Sequence, residues 1–130
     1  MKKLKIVLAT FFLSFFCNAQ DLNCSDLHVG TFELDGGKYG ITTITRTEVS
    51  QIETNSYLNS ESHYDVIWKD DCIYELRNRK VIKGDVPASN PGDAITAEVI
   101  KISGSKFLLK LSSNFSDRVM ECELMKINGS

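Results

Sequence analysis

The segment HYDVIWKDDCIYELRN (residues 63–78) decides the fold of this chain. It contains two runs rich in β-branched and aromatic residues, His63–Lys69 and Cys72–Asn78, on either side of the acidic pair Asp70-Asp71. Two such runs around a short polar turn are typical of a β-hairpin. The rest of the sequence repeats this arrangement, so the hairpin indicates the class of the whole domain.

Further strand-like runs precede and follow the hairpin, and Gly, Asn, Asp and Ser separate them. The other predicted strands are Val29–Leu34, Ile41–Arg46, Glu48–Thr54, Ile95–Ser103, Lys106–Ser112 and Arg118–Ile127. The second and third of these form either two strands or one long bent strand. Residues Arg79–Asp93 hold both prolines and are predicted as the longest loop, with Val81-Ile82 as an optional extension of the preceding strand.

Sequential antiparallel strands with almost no helical periodicity predict an all-β domain. The two candidate architectures are a small up-and-down β-barrel and a β-sandwich. A meander of hairpins favours the barrel, because a sandwich usually needs Greek-key crossovers between its sheets.

The first 19 residues have the three-part layout of a secretory signal peptide. Three lysines form a basic start, an apolar run of 11 residues spans Ile6–Phe16, and small residues stand in Cys17-Asn18-Ala19. The apolar run is too short to cross a bilayer, which takes about 20 residues. We therefore expect cleavage of residues 1–19 and a single exported domain, residues 20–130, that is periplasmic or extracellular. Lipid modification of Cys17 is not expected, because bulky Phe16 stands where a lipoprotein signal needs a small residue.

Removal of the leader makes the domain more acidic. The full chain has 15 basic and 17 acidic side chains, and the leader holds three lysines and no acid. The remaining 111 residues carry 12 basic and 17 acidic side chains, a net charge of −5. Such a domain is not expected to bind nucleic acid or anionic lipid surfaces by bulk electrostatics. No second apolar stretch reaches spanning length, so no transmembrane segment is predicted in the mature chain.

Three cysteines remain after cleavage, which predicts one disulfide and one free thiol in an oxidising compartment. Alternation across Met120–Leu124 places Cys122 on an apolar face, which is typical of an inert, buried thiol. Cys24 in the polar lead-in and Cys72 after a turn are better placed as a tether. The pattern therefore favours a Cys24–Cys72 disulfide.

The sequence holds no motif for catalysis, a cofactor or a metal. His28 and His63 are its two histidines, and neither stands in a metal-ligand spacing or beside a nucleophile. Asp70-Asp71 is better explained as an acidic turn than as a cation site, since no calcium-loop pattern surrounds it. Phosphate-binding glycine loops, Cys-x-x-Cys pairs and serine elbows are absent. We expect a non-enzymatic protein without cofactor or metal.

Aromatic residues on several strands and one arginine are the candidates for a ligand-binding interior. The predicted lining residues are Phe32, Arg46, Trp68, Tyr74 and Phe107. If Arg46 and Gln51 point inward, they can orient a polar head group, and the buried arginine then needs a partner such as Glu53 or Glu48. In the alternative interpretation the rings only fill the core and the polar strand face meets water.

Several of these elements together resemble a family of small secreted proteins from Bacteroidetes-type bacteria. The matching elements are Cys24, Gly30-Thr31-Phe32, Thr45-Arg46, Gln51-Ile52-Glu53 and Trp68-Lys69-Asp70-Asp71-Cys72-Ile73-Tyr74. The family implies no function, but its two recurring cysteines agree with the Cys24–Cys72 pair. Some members carry the label DNA topoisomerase IV, which a short, acidic, exported chain does not fit.

Gly30-Thr31-Phe32 is also similar to the Gly-x-Trp of the first strand in lipocalins and fatty-acid-binding proteins. This resemblance implies a lipocalin-like barrel, with Arg118 of the last strand stacked over Phe32 at the closed end.

The sequence thus predicts an exported, non-enzymatic binding protein for a small apolar or amphipathic ligand. The alternative is a protein-interaction or inhibitor module of the envelope with a filled core, which acts through an exposed edge or through the Arg79–Asp93 loop. The sequence identifies neither the ligand nor a protein partner.

Overall fold

The computed structural model describes residues 22–128, which form a one-turn helix followed by eight strands. The elements are α1 (Ser25–His28), β1 (Gly30–Asp35), β2 (Ile41–Arg46), β3 (Ser50–Asn55), β4 (Ser60–Asp70), β5 (Ile73–Lys83), β6 (Ala94–Ser103), β7 (Lys106–Ser113) and β8 (Met120–Asn128). A 3₁₀ turn at Gly37–Tyr39 connects β1 to β2. No helix within residues 22–128 is long and apolar enough to cross a membrane. The predicted signal peptide, residues 1–19, lies outside the described residues.

The eight strands form one closed antiparallel sheet in sequence order. Each strand pairs with the next, and β1 also pairs with β8, so that Phe32 lies opposite Ile44 on one side and Lys126 on the other. Closure leaves the sheet without a free edge. The predicted up-and-down barrel is confirmed, and the stretch from β2 to β3 is two strands rather than one bent strand.

The β4–β5 hairpin is longer than the sequence predicts. Strand β5 continues to Lys83, so the first five residues of the predicted Arg79–Asp93 loop belong to the sheet and the loop is residues 84–93. The register of the two strands shifts near Asn78, whose φ is 52°. Extra residues in one strand form a β-bulge, which lets the strand continue past a position where strict alternation is interrupted.

The two ends of the barrel differ. The closed end is the end at which β1, β3, β5 and β7 begin, and α1 lies across it. Leu27 of this helix is fully buried in the core, and Nζ of Lys126 donates a hydrogen bond to the backbone oxygen of Asp26 at 2.8 Å. The open end is the opposite end, where β2, β4, β6 and β8 begin.

A disulfide between Cys24 and Cys72 ties α1 to the turn between β4 and β5, as predicted. Asp71 of this turn accepts a hydrogen bond from the backbone N–H of Cys24 at 3.2 Å, and its carbonyl oxygen lies 2.9 Å from Nε2 of His28. Cys122 is the free cysteine of the described residues, and burial raises its pKa to about 11. The covalent bond and the polar contacts together fix α1 on the closed end.

Replacing both bonded cysteines with serine should lower the free energy of unfolding by about 4 kcal/mol, because the bond closes a loop of 48 residues in the unfolded chain. Urea denaturation of the double variant measures this loss. The control Cys122→Ser removes a thiol without opening a loop and should cost about 1 kcal/mol. An equal loss in the double variant and in the control would contradict the tethering role.

Candidate functional site

The closed end is built around the guanidinium of Arg46, the last residue of β2, which is 1% exposed. Its Nε donates a hydrogen bond to Oε1 of Gln51 at 2.9 Å, and its Nη1 donates to the carbonyl oxygen of Leu27 at 2.7 Å. Nη2 donates to the hydroxyl of Tyr74 at 2.8 Å. All three acceptors are neutral groups, and they satisfy a cation that burial would otherwise destabilise. Arg46 therefore joins α1, β3 and β5.

Aromatic rings surround this guanidinium. Cζ of Arg46 lies 4.5 Å from the ring centre of Tyr74 and 5.1 Å from that of Phe32. Phe32 meets Phe107 edge to face, with ring centres 6.3 Å apart, and Tyr74 lies 4.7 Å from Trp68. Such cation–π and aromatic pairs add to the energy of simple burial. The structure thus brings together all five residues that the sequence predicts as lining.

These five residues pack against one another. Phe32, Arg46, Tyr74 and Phe107 are at most 2% exposed, and the ring of His28 stacks on the partly buried Trp68. None of the five lines the cavities at the open end described below. Their role in ligand contact stays a prediction.

The cations over Phe32 differ from the one implied by the lipocalin resemblance. Arg118 is exposed and precedes β8 at the open end, so the prediction that it stacks on Phe32 is wrong. The ring is instead faced by Arg46 and by Nζ of Lys126 at 5.8 Å. The reason is the start of the last strand at Met120, which leaves Arg118 in the preceding loop.

Gln51 connects Arg46 to an acidic group further inside the barrel. Its Nε2 donates a hydrogen bond to Oε2 of Glu53 at 2.7 Å. Burial raises the pKa of Glu53, while the hydrogen bond from Gln51 and the charges of Arg46 and Arg79 oppose the rise. Of the two predicted partners of Arg46, Glu53 is therefore connected to it indirectly, through the side-chain amide of Gln51. The other, Glu48, is exposed and lies 3.9 Å from Nδ1 of His28.

Cys24, Asp71 and Cys72 are the one group of three potential metal ligands that lie close together in residues 22–128. The two sulfur atoms form the disulfide, so the thiolates that a metal ion would bind are consumed. Asp70 accepts a hydrogen bond from the backbone N–H of Cys72 at 2.8 Å, which is the ordinary behaviour of an aspartate in a turn. The acidic pair therefore acts as a structural turn in this geometry.

Free space lies at the open end, where one of several neighbouring cavities has a volume of about 300 Å³. We call it the mouth cavity. Its apolar wall consists of Ile95, Leu111, Phe115 and Met120, and Arg118 stands among the serines at its rim. The loop that carries Phe115 is held in place by Asn114, whose Oδ1 accepts a hydrogen bond from the backbone N–H of the first residue of β6 at 2.9 Å.

Two smaller cavities adjoin the mouth cavity and are linked by shared lining residues. A narrow neck of about 20 Å³ shares Ile95 and Phe115 with the mouth cavity and reaches Tyr64 and Arg79. An inner cavity of about 120 Å³ shares Tyr64 and Arg79 with the neck and contains Glu53. The apolar wall of the mouth cavity and the polar lining of the inner cavity therefore lie on either side of the neck. The exposed residue Leu58 also lines the inner cavity.

The inner cavity is lined by hydrogen-bonding groups. The Nε of Arg79 is buried and has no hydrogen-bond partner among the described residues. Burial raises the pKa of Tyr64 to about 12, so its hydroxyl is a neutral donor at physiological pH. Asn55 lies against this cavity and is 5% exposed, and its Nδ2 donates a hydrogen bond to the backbone oxygen of Tyr39 at 2.9 Å. Asn55 thus fixes the neighbouring turn, and Arg79 is the group with an unused donor.

The sequence interpretation missed Arg79 because it placed this residue in a loop. A correct strand boundary alone would not have placed Arg79 inside. Strict alternation after Tyr74 and Leu76 points Asn78 inward and Arg79 outward. The bulge at Asn78 reverses the parity and brings Arg79 inside. The one feature of the sequence that could have indicated this bulge is Asn78 itself, because asparagine tolerates positive φ.

No family model, curated protein or solved structure matches this chain. The family resemblances therefore stay predictions, and the geometry of the two ends of the barrel is what indicates a function.

Replacing Arg46 with glutamine should lower the free energy of unfolding by about 3 kcal/mol, because buried acceptors on three elements lose their donors. Urea denaturation measures the loss. The control Arg77→Gln removes a partly exposed partner of Glu75 and should cost less than about 1 kcal/mol. Equal losses for the two variants would contradict a central role for Arg46.

Replacing Glu53 with glutamine should stabilise the protein at pH 7 and have a smaller effect at pH 4. The raised pKa means that the folded state disfavours the ionised carboxyl, so stability falls as pH rises from 4.5 through the pKa of the folded state. Urea denaturation at the two pH values tests this. Glu98→Gln, on the exposed outer face of β6, controls for the loss of one negative charge. A stabilisation of Glu53→Gln that is independent of pH would contradict the assignment.

Proposed function

We propose that the protein is an exported, non-enzymatic binding protein for a small amphipathic molecule, which enters at the open end of the barrel. The observation that carries this proposal is the row of mouth cavity, neck and inner cavity. The mouth cavity, at about 300 Å³, falls in the size range of small-molecule sites, roughly 300–1,000 Å³. Its apolar wall suits a hydrocarbon tail, and the inner cavity suits a polar head group.

The exposed apolar side chains of the mouth support the same conclusion. Phe115 is 55% exposed and Met120 is 54% exposed, and both line the mouth cavity. Val119, between them in the same loop region, is 58% exposed. A ligand that covers large apolar side chains in contact with water lowers the free energy of the system.

The disulfide supports the exported part of the proposal. A Cys24–Cys72 bond persists in an oxidising compartment such as the periplasm or the outside of the cell, and it is rare in the cytosol. The leader predicted from residues 1–19 leads to the same compartments.

The packed closed end favours the alternative function, an envelope protein-interaction or inhibitor module. With four of the five predicted lining residues at most 2% exposed, that end offers a filled core. This alternative gives the open-end cavities no role, so it predicts that no small amphiphile binds there.

Isothermal titration with 1-octanol, a neutral amphiphile, tests the proposed function. The double variant Phe115→Ser and Met120→Ser should bind octanol about tenfold more weakly than the natural protein. Losing about 60 Å² of apolar contact at ~25 cal/mol per Å² costs about 1.5 kcal/mol. Both side chains are more than half exposed, so the fold should tolerate the change.

The matched control is the double variant Val49→Ser and Ile100→Ser, which removes exposed apolar side chains away from the mouth and should bind octanol normally. Thermal unfolding checks that both variants are folded. An equal loss of octanol affinity in both double variants would refute binding at the mouth.

A further inference from the structure

The interior of the barrel holds more cationic than anionic side chains. Arg46 and Arg79 both face it, whereas Glu53 is the acidic residue that lies between them. Each of the three nitrogens of the Arg46 guanidinium donates one hydrogen bond to a neutral acceptor. Arg79 takes part in none of the ion pairs found within 4.0 Å in residues 22–128. The charge of Arg79 is therefore available to a ligand.

Arg79 borders two of the cavities at the open end. The residue lines both the neck and the inner cavity, so a head group in either cavity lies beside its side chain. Its buried Nε has no acceptor within the described chain, which is an unfavourable state. A ligand oxygen in the inner cavity would supply the missing acceptor.

Further donors stand beside Arg79. The hydroxyl of Tyr64 stays protonated well above neutral pH, since burial raises its pKa to about 12. Ser62, 8% exposed, lines the same cavity. A guanidinium together with two hydroxyl donors is a suitable set for oxygen atoms that carry negative charge.

The groups around Glu53 decide how it responds to an anion. Arg46 of β2 and Arg79 of β5 favour its ionised form, while burial disfavours that form more strongly and raises its pKa. The other titratable groups that interact with it are neutral at pH 7: Tyr64 of β4, Tyr74 of β5 and Cys122 of β8. An incoming anion would be a like charge beside Glu53, so protonation of Glu53 relieves the repulsion.

One more acidic group faces Arg79. Asp93, the last residue of the loop before β6, lines the neck and is partly exposed. Its Oδ2 accepts a hydrogen bond from the backbone N–H of Asn90 at 2.9 Å, which fixes the carboxylate to its own loop. Asp93 therefore lies beside the neck. The charged side chains that face the barrel interior are still two arginines, Arg46 and Arg79, and one carboxyl group, that of Glu53.

We propose that the ligand is a single-chain amphiphile with an anionic head group, which pairs with Arg79 in the inner cavity while its tail occupies the mouth cavity, and that Glu53 takes up a proton from solvent on binding. This inference rests on the proposed function, and it adds the charge of the head group and the residue that recognises it.

Calorimetric titration of the full chain with four octyl compounds at pH 7 tests the head-group class. Octanoate and octyl phosphate are the anions, 1-octanol is the neutral reference and octylammonium is the cation. At least one anion should bind about tenfold more tightly than octanol, and octylammonium should bind more weakly than octanol. The better of the two anions identifies whether the site prefers a carboxylate or a phosphate.

The variant Arg79→Gln should reduce the ratio of anion to octanol affinity from about ten to about one. Arg79→Lys, which keeps the charge, should retain part of the preference. The matched control is Lys80→Gln, which removes one positive charge from an exposed position of the same strand and should keep the ratio of the natural protein. Near-ultraviolet circular dichroism verifies the fold of each variant.

Proton uptake is measured by titrating octanoate in two buffers that differ in ionisation enthalpy. The natural protein should take up protons and bind octanoate more tightly at pH 6 than at pH 8. Glu53→Gln should show neither effect, because the group that takes up the proton is gone.

The titrations distinguish anion recognition by Arg79 from ligand binding as such. Equal affinity for octanoate, octyl phosphate and octanol would overturn this inference and leave the proposed function standing. An anion preference that survives in Arg79→Gln would also overturn it, as would proton uptake that survives in Glu53→Gln. Absence of binding by all four compounds would refute both the inference and the proposed function.

Discussion

The burial of one guanidinium, that of Arg46, is the constraint on which the closed end of this barrel depends. A charged group that is 1% exposed is tolerable only if its N–H donors find acceptors. The barrel supplies two of them, from Gln51 and Tyr74, and the third comes from Leu27 of α1. The helix must therefore lie across the end of the barrel, and the disulfide at Cys24 holds it there.

The same physical rule distinguishes the two arginines of the interior. Each nitrogen of Arg46 has an acceptor, whereas Nε of Arg79 has none in the described chain. At the closed end, the buried Nε1 of Trp68 also has no partner among the described residues. Glu53 lies between the two arginines and is hydrogen-bonded only on the side of Gln51, as far as residues 22–128 show. Polar groups that are satisfied from within rigidify a fold, and groups that are not satisfied are where a ligand finds complementary atoms.

The sequence predicted the features that alternation controls. Period-two patterns located the strands and made Phe32, Tyr74 and Phe107 candidates for the interior, where the structure has them. For Arg46 the pattern left two interpretations open, an inward side chain or a solvated strand face, and the structure has it 1% exposed. The odd cysteine count and the apolar face of Cys122 were enough to choose the disulfide. Whether a cluster of inward residues is packed or leaves space depends on what covers the end of the barrel. That information came from α1, a four-residue helix without a periodic signal.

The features that were missed depend on strand pairing rather than on alternation. Along β5 the strict pattern would place Tyr74, Leu76, Asn78 and Lys80 inside, which would make a lysine the cation of the open end. The left-handed conformation of Asn78, with φ at 52°, and the shift of register against β4 change the parity, so that Arg79 enters and Lys80 stays exposed. An ammonium would act as a single point charge, whereas a guanidinium presents a planar set of donors that matches two oxygen atoms. The type of cation at the open end is therefore set by a local irregularity of the backbone, which a pattern of residue types does not reveal.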